Sequence, residues 1–194
     1  MNKNRLEAFS DGVLAIVITI MVLEIKVPHG ETWQALQPLL PVALSYVLSF
    51  LYVGIYWNNH HHMLHAARKV NGAVLWANLH LLFWLSLLPF ACGWMGENHL
   101  APLPVALYGG VLLMAGFAYW LLARAIIRAD GAGSLLAQAI GADRKGNVSV
   151  VLYALGIVLT FVHVALAQAI YVGVALMWLI PDRRIEQVLG SSAH

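Results

Sequence analysis

What most limits the fold of this chain is a series of apolar runs, each long enough to cross a lipid bilayer. A spanning helix needs about 20 mostly apolar residues, and residues 9–27, 39–57, 73–94 and 105–123 meet that length. Polar or Gly- and Pro-rich breaks separate them: residues 28–31, then 58–72 with its four clustered histidines, then 96–104. Pro38 and Pro41 open the second run, where a missing N–H costs little, and Pro89 predicts a kink in the third. The last apolar stretch covers residues 148–180. As one helix it would measure about 50 Å, against a hydrocarbon core of about 30 Å. Two short spans fit better, with a turn near residues 163–168. The expected fold is all-α, a polytopic membrane protein of six transmembrane helices in a single domain over residues 1–194.

Charge supports that reading and excludes others. Only 10% of the side chains are charged, against about 25% in an ordinary soluble domain, too few to cover a water-exposed surface. A net charge of +2 gives no basic field for phosphate backbones, so nucleic acid is not an expected partner. The single Cys92 excludes a disulfide framework and a CxxC metal site. The sequence contains no GxSxG, HExxH or phosphate loop, so neither enzyme activity nor a cofactor is expected. No small-residue cleavage site follows the first run, and a cleavable leader is not expected.

The cations set the number of spans. Lys3 and Arg5 precede the first run, Arg68 and Lys69 follow the second, and Arg124, Arg128, Arg144 and Lys145 follow the fourth. Arg183 and Arg184 come after the last apolar stretch. With six spans all of these share one side and Lys26 stands alone on the other, which places both termini in the cytoplasm. Trp57, Trp76, Trp120 and Trp178 then fall toward the inner interface, and Trp33 and Trp94 toward the outer one. Residues 128–147, with four glycines, read as a connector rather than a module. No internal repeat is present, so a symmetric structure would require several chains.

The first run carries the most informative polar pattern. Asp11, a turn inside it, is costly in lipid unless paired or wet. Arg5 lies six residues away, outside i,i+4 reach, so a partner on another helix or loop is expected. Two readings stay open for Ser10 and Asp11: a network anchoring this helix, or an ordinary N-cap. Ile16, Thr19 and Leu23 share one helical face, with Gly12 a turn earlier. That stripe is either a helix-packing seam or a pore lining of apolar collars around a hydroxyl ring. Glu24 could form a cation-attracting ring at the outer mouth or pair with Lys26.

His60, His61, His62 and His65 end the second run. The i,i+4 pair His61 and His65 could chelate a metal, but no nearby Cys or acid completes a ligand set, and packing is the preferred reading. His80 and His163 lie within expected spans and are functional candidates there.

The pattern Arg5, Phe9-Ser10-Asp11-Gly12, Thr19, Leu23-Glu24 closely resembles the RxxxFSD signature of the bacterial relatives of the lysosomal potassium channel, transmembrane protein 175. Weaker similarities follow in Tyr56-Trp57 with His60-His61, and in Asn78-Leu79 with Leu87-Leu88-Pro89-Phe90. The resemblance implies a homotetramer whose first helices surround a central axis. It implies an apolar constriction at Ile16, a hydroxyl layer at Thr19 and a further collar at Leu23, with Gly12 also on the pore face. Arg5, Phe9, Ser10, Asp11, His60 and His61 would belong to the network holding that helix.

The TVGYG filter of ordinary potassium channels is absent here. A greasy constriction can gate by dewetting, because an entering ion sheds water without replacement ligands. Potassium holds its water less tightly than sodium, so the barrier favours potassium modestly. The expected function is a potassium-preferring cation channel of the bacterial inner membrane, passing other monovalent cations more weakly. The alternative is a proton-coupled transporter using Asp11, His80 or His163 as a relay. A third reading is a metal sensor or scaffold built on residues 60–65.

Overall fold

The computed structural model describes residues 3–141 and 143–179. Arg183, Arg184 and the expected cytoplasmic C terminus lie outside the described residues. Those described form helices and turns and no strand. By length and composition, three helical segments among them are long and apolar enough to cross a membrane: Trp33–Ala66, Gly72–Glu97 and Pro102–Asp130.

The first helix, α1 (Lys3–Val22), buries Leu6, Ser10, Leu14, Val17 and Met21. These fall on one stripe of a 3.6-residue period and pack against α2 (Leu40–Ala66), α3 (Gly72–Ser86) and α4 (Leu88–Glu97). The helix stops earlier than the apolar run does. The amides of Leu23, Glu24 and Ile25 bond three residues back, to Ile20, Met21 and Val22, the tightened geometry of a final turn. Pro28 and Gly30, with Gly30 at φ +140°, prevent a restart.

A 3-10 turn, Trp33–Leu39, contains Pro38, and Pro41 sits in the first turn of α2. The second helix continues through the histidine cluster to Ala66, correcting the polar break expected from Asn58 onward. Four histidines interrupt hydropathy but not backbone hydrogen bonding. The Lys3 ammonium donates to the His65 and Ala67 carbonyls at 2.9 and 3.2 Å, where a cation suits a helix C terminus. Asn71 caps α3 by accepting the Val74 N–H at 3.0 Å.

Pro89 acts as expected. The helix breaks at Leu87 between α3 and α4, with Pro89 in the first turn of α4. Proline at that position can neither donate to Leu85 nor avoid its carbonyl.

The longest helix, α5 (Pro102–Asp130), runs seven residues beyond the apolar stretch and ends at Gly131, φ +98°. Its last carboxylate, Asp130, accepts the Arg68 and Lys69 N–H groups at 2.8 Å each. The expected connector contains one short helix, α6 (Leu135–Ile140), capped by Ser134.

The final apolar stretch divides into α7 (Arg144–Thr160) and α8 (Val164–Leu179). The turn occupies residues 161–163, overlapping the start of the expected 163–168. There the Val162 and His163 amides both donate to the Leu159 carbonyl. His163, expected within a span, lies exposed in this turn.

Tyrosines organise the core where α2, α5, α7 and α8 meet. The Tyr52 hydroxyl donates to the Tyr171 carbonyl at 2.6 Å, and Ser49 bonds Tyr108 at 3.1 Å. Gly109 and Gly156 let the Tyr171 ring approach their backbones, since a Cβ at either would collide with it.

Candidate functional site

The stripe singled out on α1 is the uncovered one. Gly12, Ile16 and Thr19 are exposed on the face away from Leu14 and Met21. Ile16 is 58% exposed, whereas Leu14 and Met21 are at 1% and 0%. Leu23 is 70% exposed but lies one residue past the helix end, so it crowns the stripe instead of continuing it. The Thr19 hydroxyl donates back to the Ala15 and Ile16 carbonyls at 3.0 Å each. With its proton so engaged, the Thr19 oxygen presents lone pairs outward.

Behind this face, a polar chain crosses the apolar interior. The Ser10 hydroxyl, fully buried, donates to the Leu6 carbonyl at 2.8 Å and accepts from the Asn78 amide at 3.0 Å. The Asn78 carboxamide oxygen stands 2.6 Å from His60 Nε2. One residue each from α1, α3 and α2 thus satisfies its neighbour where water cannot, the condition for a polar group in this setting. Ser10 therefore works within the helix network and not as an N-cap, since α1 starts seven residues before it.

Asp11 finds its partner on α2, where the Trp57 indole N–H donates to its carboxylate at 3.0 Å. Trp57 in turn stacks on His61, and His61 on His65, along the exposed side of α2. The expected network members thus form two groups, Ser10 with His60 and Asp11 with Trp57 and His61. Arg5 and Phe9 are exposed outside both. Arg5 makes no hydrogen bond or ion pair among the described residues; the ion pair of this first turn is Lys3–Glu7 at 4.0 Å. Glu24 folds over α4, with its carboxylate so close to Gly93 that an added Cβ would lie 2.9 Å from Oε2. His80 accepts the Trp84 indole N–H at 3.0 Å, one turn along its own helix.

Asn78 is the residue that sequence reasoning undervalued. A lone carboxamide inside an apolar run was the available signal. Trp57, expected at the inner interface, becomes the Asp11 partner only through the packing of α1 on α2.

A family model described as the endosomal/lysosomal potassium channel TMEM175 matches residues 5–89, the segment containing both polar groups. A potassium channel of Chryseobacterium sp. is 57% identical over 97% of this chain and 98% of its own. The chain belongs to the TMEM175 family. Its fold is similar to the crystal structure of a lysosomal potassium-selective channel TMEM175 homolog from Chamaesiphon minutus, with a TM-score of 0.80 and 26% identity. That likeness covers 93% of this chain and 97% of the other. The human endosomal/lysosomal proton channel TMEM175 is 37% identical over 47% of this chain, a match covering 20% of the human protein.

Proposed function

We propose that this TMEM175-family chain is a potassium-preferring cation channel of a bacterial inner membrane. Four copies assemble with their first helices around a shared axis, each chain crossing the membrane six times with both termini cytoplasmic. Ile16 forms the narrow constriction, Thr19 a hydroxyl layer and Leu23 the outer collar, with Gly12 below them. The observation that carries this reading is the uncovered stripe on α1, whose opposite face is buried. A helix that binds its own protomer on one side leaves the other for a neighbour, a pore or lipid, and here that side bears the Thr19 hydroxyl. The names of the relatives, potassium channels in Chryseobacterium and Streptomyces collinus, favour the pore.

In this mechanism potassium sheds part of its water at Ile16, and the Thr19 oxygens offset a fraction of that loss. Selectivity is accordingly modest. The buried Ser10–Asn78–His60 chain and the Asp11–Trp57 bond hold α1 at the angle that sets the pore radius. Glu24, part-exposed and lying against Gly93 of α4, would give the outer mouth a cation-attracting carboxylate from each chain.

Thiol accessibility tests the assignment. With native Cys92 buried, Ile16→Cys is expected to make potassium current sensitive to a small cationic thiol reagent, while Val151→Cys on α7 is not. Equal insensitivity of both would contradict it. The particle in detergent is expected to hold four chains. A proton-coupled transporter would instead give saturable flux with a fixed proton stoichiometry.

A further inference from the structure

We propose that a lateral cleft between α2, α5 and α7 holds an acyl chain of an anionic glycerophospholipid, its phosphate beside Arg124 and Lys145. The cleft measures about 420 Å³, within the usual range for ligand sites. Its walls are the rings of Tyr52, Tyr56, Phe117, Trp120, Tyr153 and Trp178. Gly116 leaves its middle open: a Cβ there would meet only Tyr56 Oη at 3.7 Å and Tyr153 at 3.9 Å.

The lining changes character along its length. Asn59, Asp143 and Asn147 gather where α2 nears its C-terminal end and α7 begins. An apolar depth that opens through a polar mouth matches an amphiphile. The flanking charge specifies its sign. The Arg124 guanidinium sits 5.3 Å from the Trp120 ring centroid, and the Lys145 ammonium 5.9 Å from that of Trp178. Each of these two wall rings therefore carries a cation. The carboxylate in the lining, Asp143, accepts the Gly146 N–H at 3.1 Å as the cap of α7.

Trp120 also borders a second groove of about 320 Å³ between α3 and α5, floored by alanines and edged by Arg124 and Arg128. Arg124 borders this groove and the Trp120 ridge but not the cleft itself, whose lining carries no cation, so the headgroup would lie over that ridge, outside the aromatic walls. Exposed Phe117, Val150 and Val151 continue the cleft onto the protomer surface, the approach a lipid in the same leaflet would use. Basic residues at a membrane surface concentrate anionic lipids from that leaflet.

The cleft is lined by residues of α2, α5, α7 and α8 and by none of α1. It therefore stands or falls separately from the pore assignment. Native mass spectrometry of the full-length assembly with added phosphatidylglycerol or phosphatidylcholine tests it. The wild-type protein should retain phosphatidylglycerol preferentially. Arg124→Gln combined with Lys145→Gln should cut that retention about tenfold and leave phosphatidylcholine unchanged. Gly116→Leu, which fills the cleft, should lower retention of both lipids, with circular dichroism and particle mass confirming an intact fold. Equal retention of the two lipids by the wild type would overturn the proposal. So would undiminished phosphatidylglycerol retention in the charge variant.

Discussion

His60 on α2 and Asn78 on α3 stand 2.6 Å apart, and the Asn78 amide reaches on to Ser10 of α1 at 3.0 Å. Helices α1, α2 and α3 are thereby tied at a point where Ser10, His60 and Asn78 are all buried. The bonds are directional, so they fix the rotation of α1 as well as its distance from its neighbours. That rotation decides which face is left uncovered.

Asn78→Leu tests this tie. The substitution keeps the side-chain volume but leaves His60 and Ser10 without their partner. A loss of about 1–2 kcal/mol is expected, read as a lower thermal midpoint in detergent. Ser10→Ala removes the acceptor of the buried Asn78 amide as well as the bond to the Leu6 carbonyl, and a loss of about 1–2 kcal/mol is expected there too. An unchanged midpoint in Asn78→Leu would show that the chain of bonds contributes nothing to stability.

The Asp11–Trp57 bond joins α1 to α2 near the surface. Trp57→Phe keeps most of the ring and removes the N–H. In a double-mutant cycle with Asp11→Ala, a coupling of about 0.5–1.5 kcal/mol is expected. A coupling of zero would mean that the two side chains act independently.

Gly156 and Gly54 offer a paired test of packing. A Cβ on Gly156 would lie 2.6 Å from Tyr171 Cε1, whereas one on Gly54 meets nothing within 4 Å. Gly156→Ala should destabilise by about 1–3 kcal/mol. Gly54→Ala should be neutral or slightly stabilising, since alanine favours a helix. Equal effects of the two on thermal unfolding would contradict the close approach of α7 and α8.

The helices were legible because each follows from local features: apolar length, prolines at the starts of α2 and α4, and the break before Pro89. Helix ends were less so. The polar stretch from Asn58 to His65 lowers hydropathy, yet its backbone bonds need no apolar side chain, and α2 runs on to Ala66. The turn at residues 161–163 carries neither Pro nor Gly, so only the packing of α7 against α8 locates it. Ser10, Asp11 and His60 were visible as polar residues in apolar surroundings. Their partners were not, because Asn78 and Trp57 come within reach only through the packing of α1 on α2 and α3. Arg5 shows the opposite case: part of the sequence signature, it lies exposed, outside both hydrogen-bonded groups.

The central claim is that the uncovered face of α1 lines the ion path. Single-channel recording in planar bilayers under potassium/sodium bi-ionic conditions tests it most directly. The wild-type protein should reverse toward the potassium potential. Ile16→Asn, which wets the constriction, should raise the current and move the reversal potential toward zero. Unchanged conductance and reversal in both Ile16→Asn and Leu23→Ala would place the ion path elsewhere.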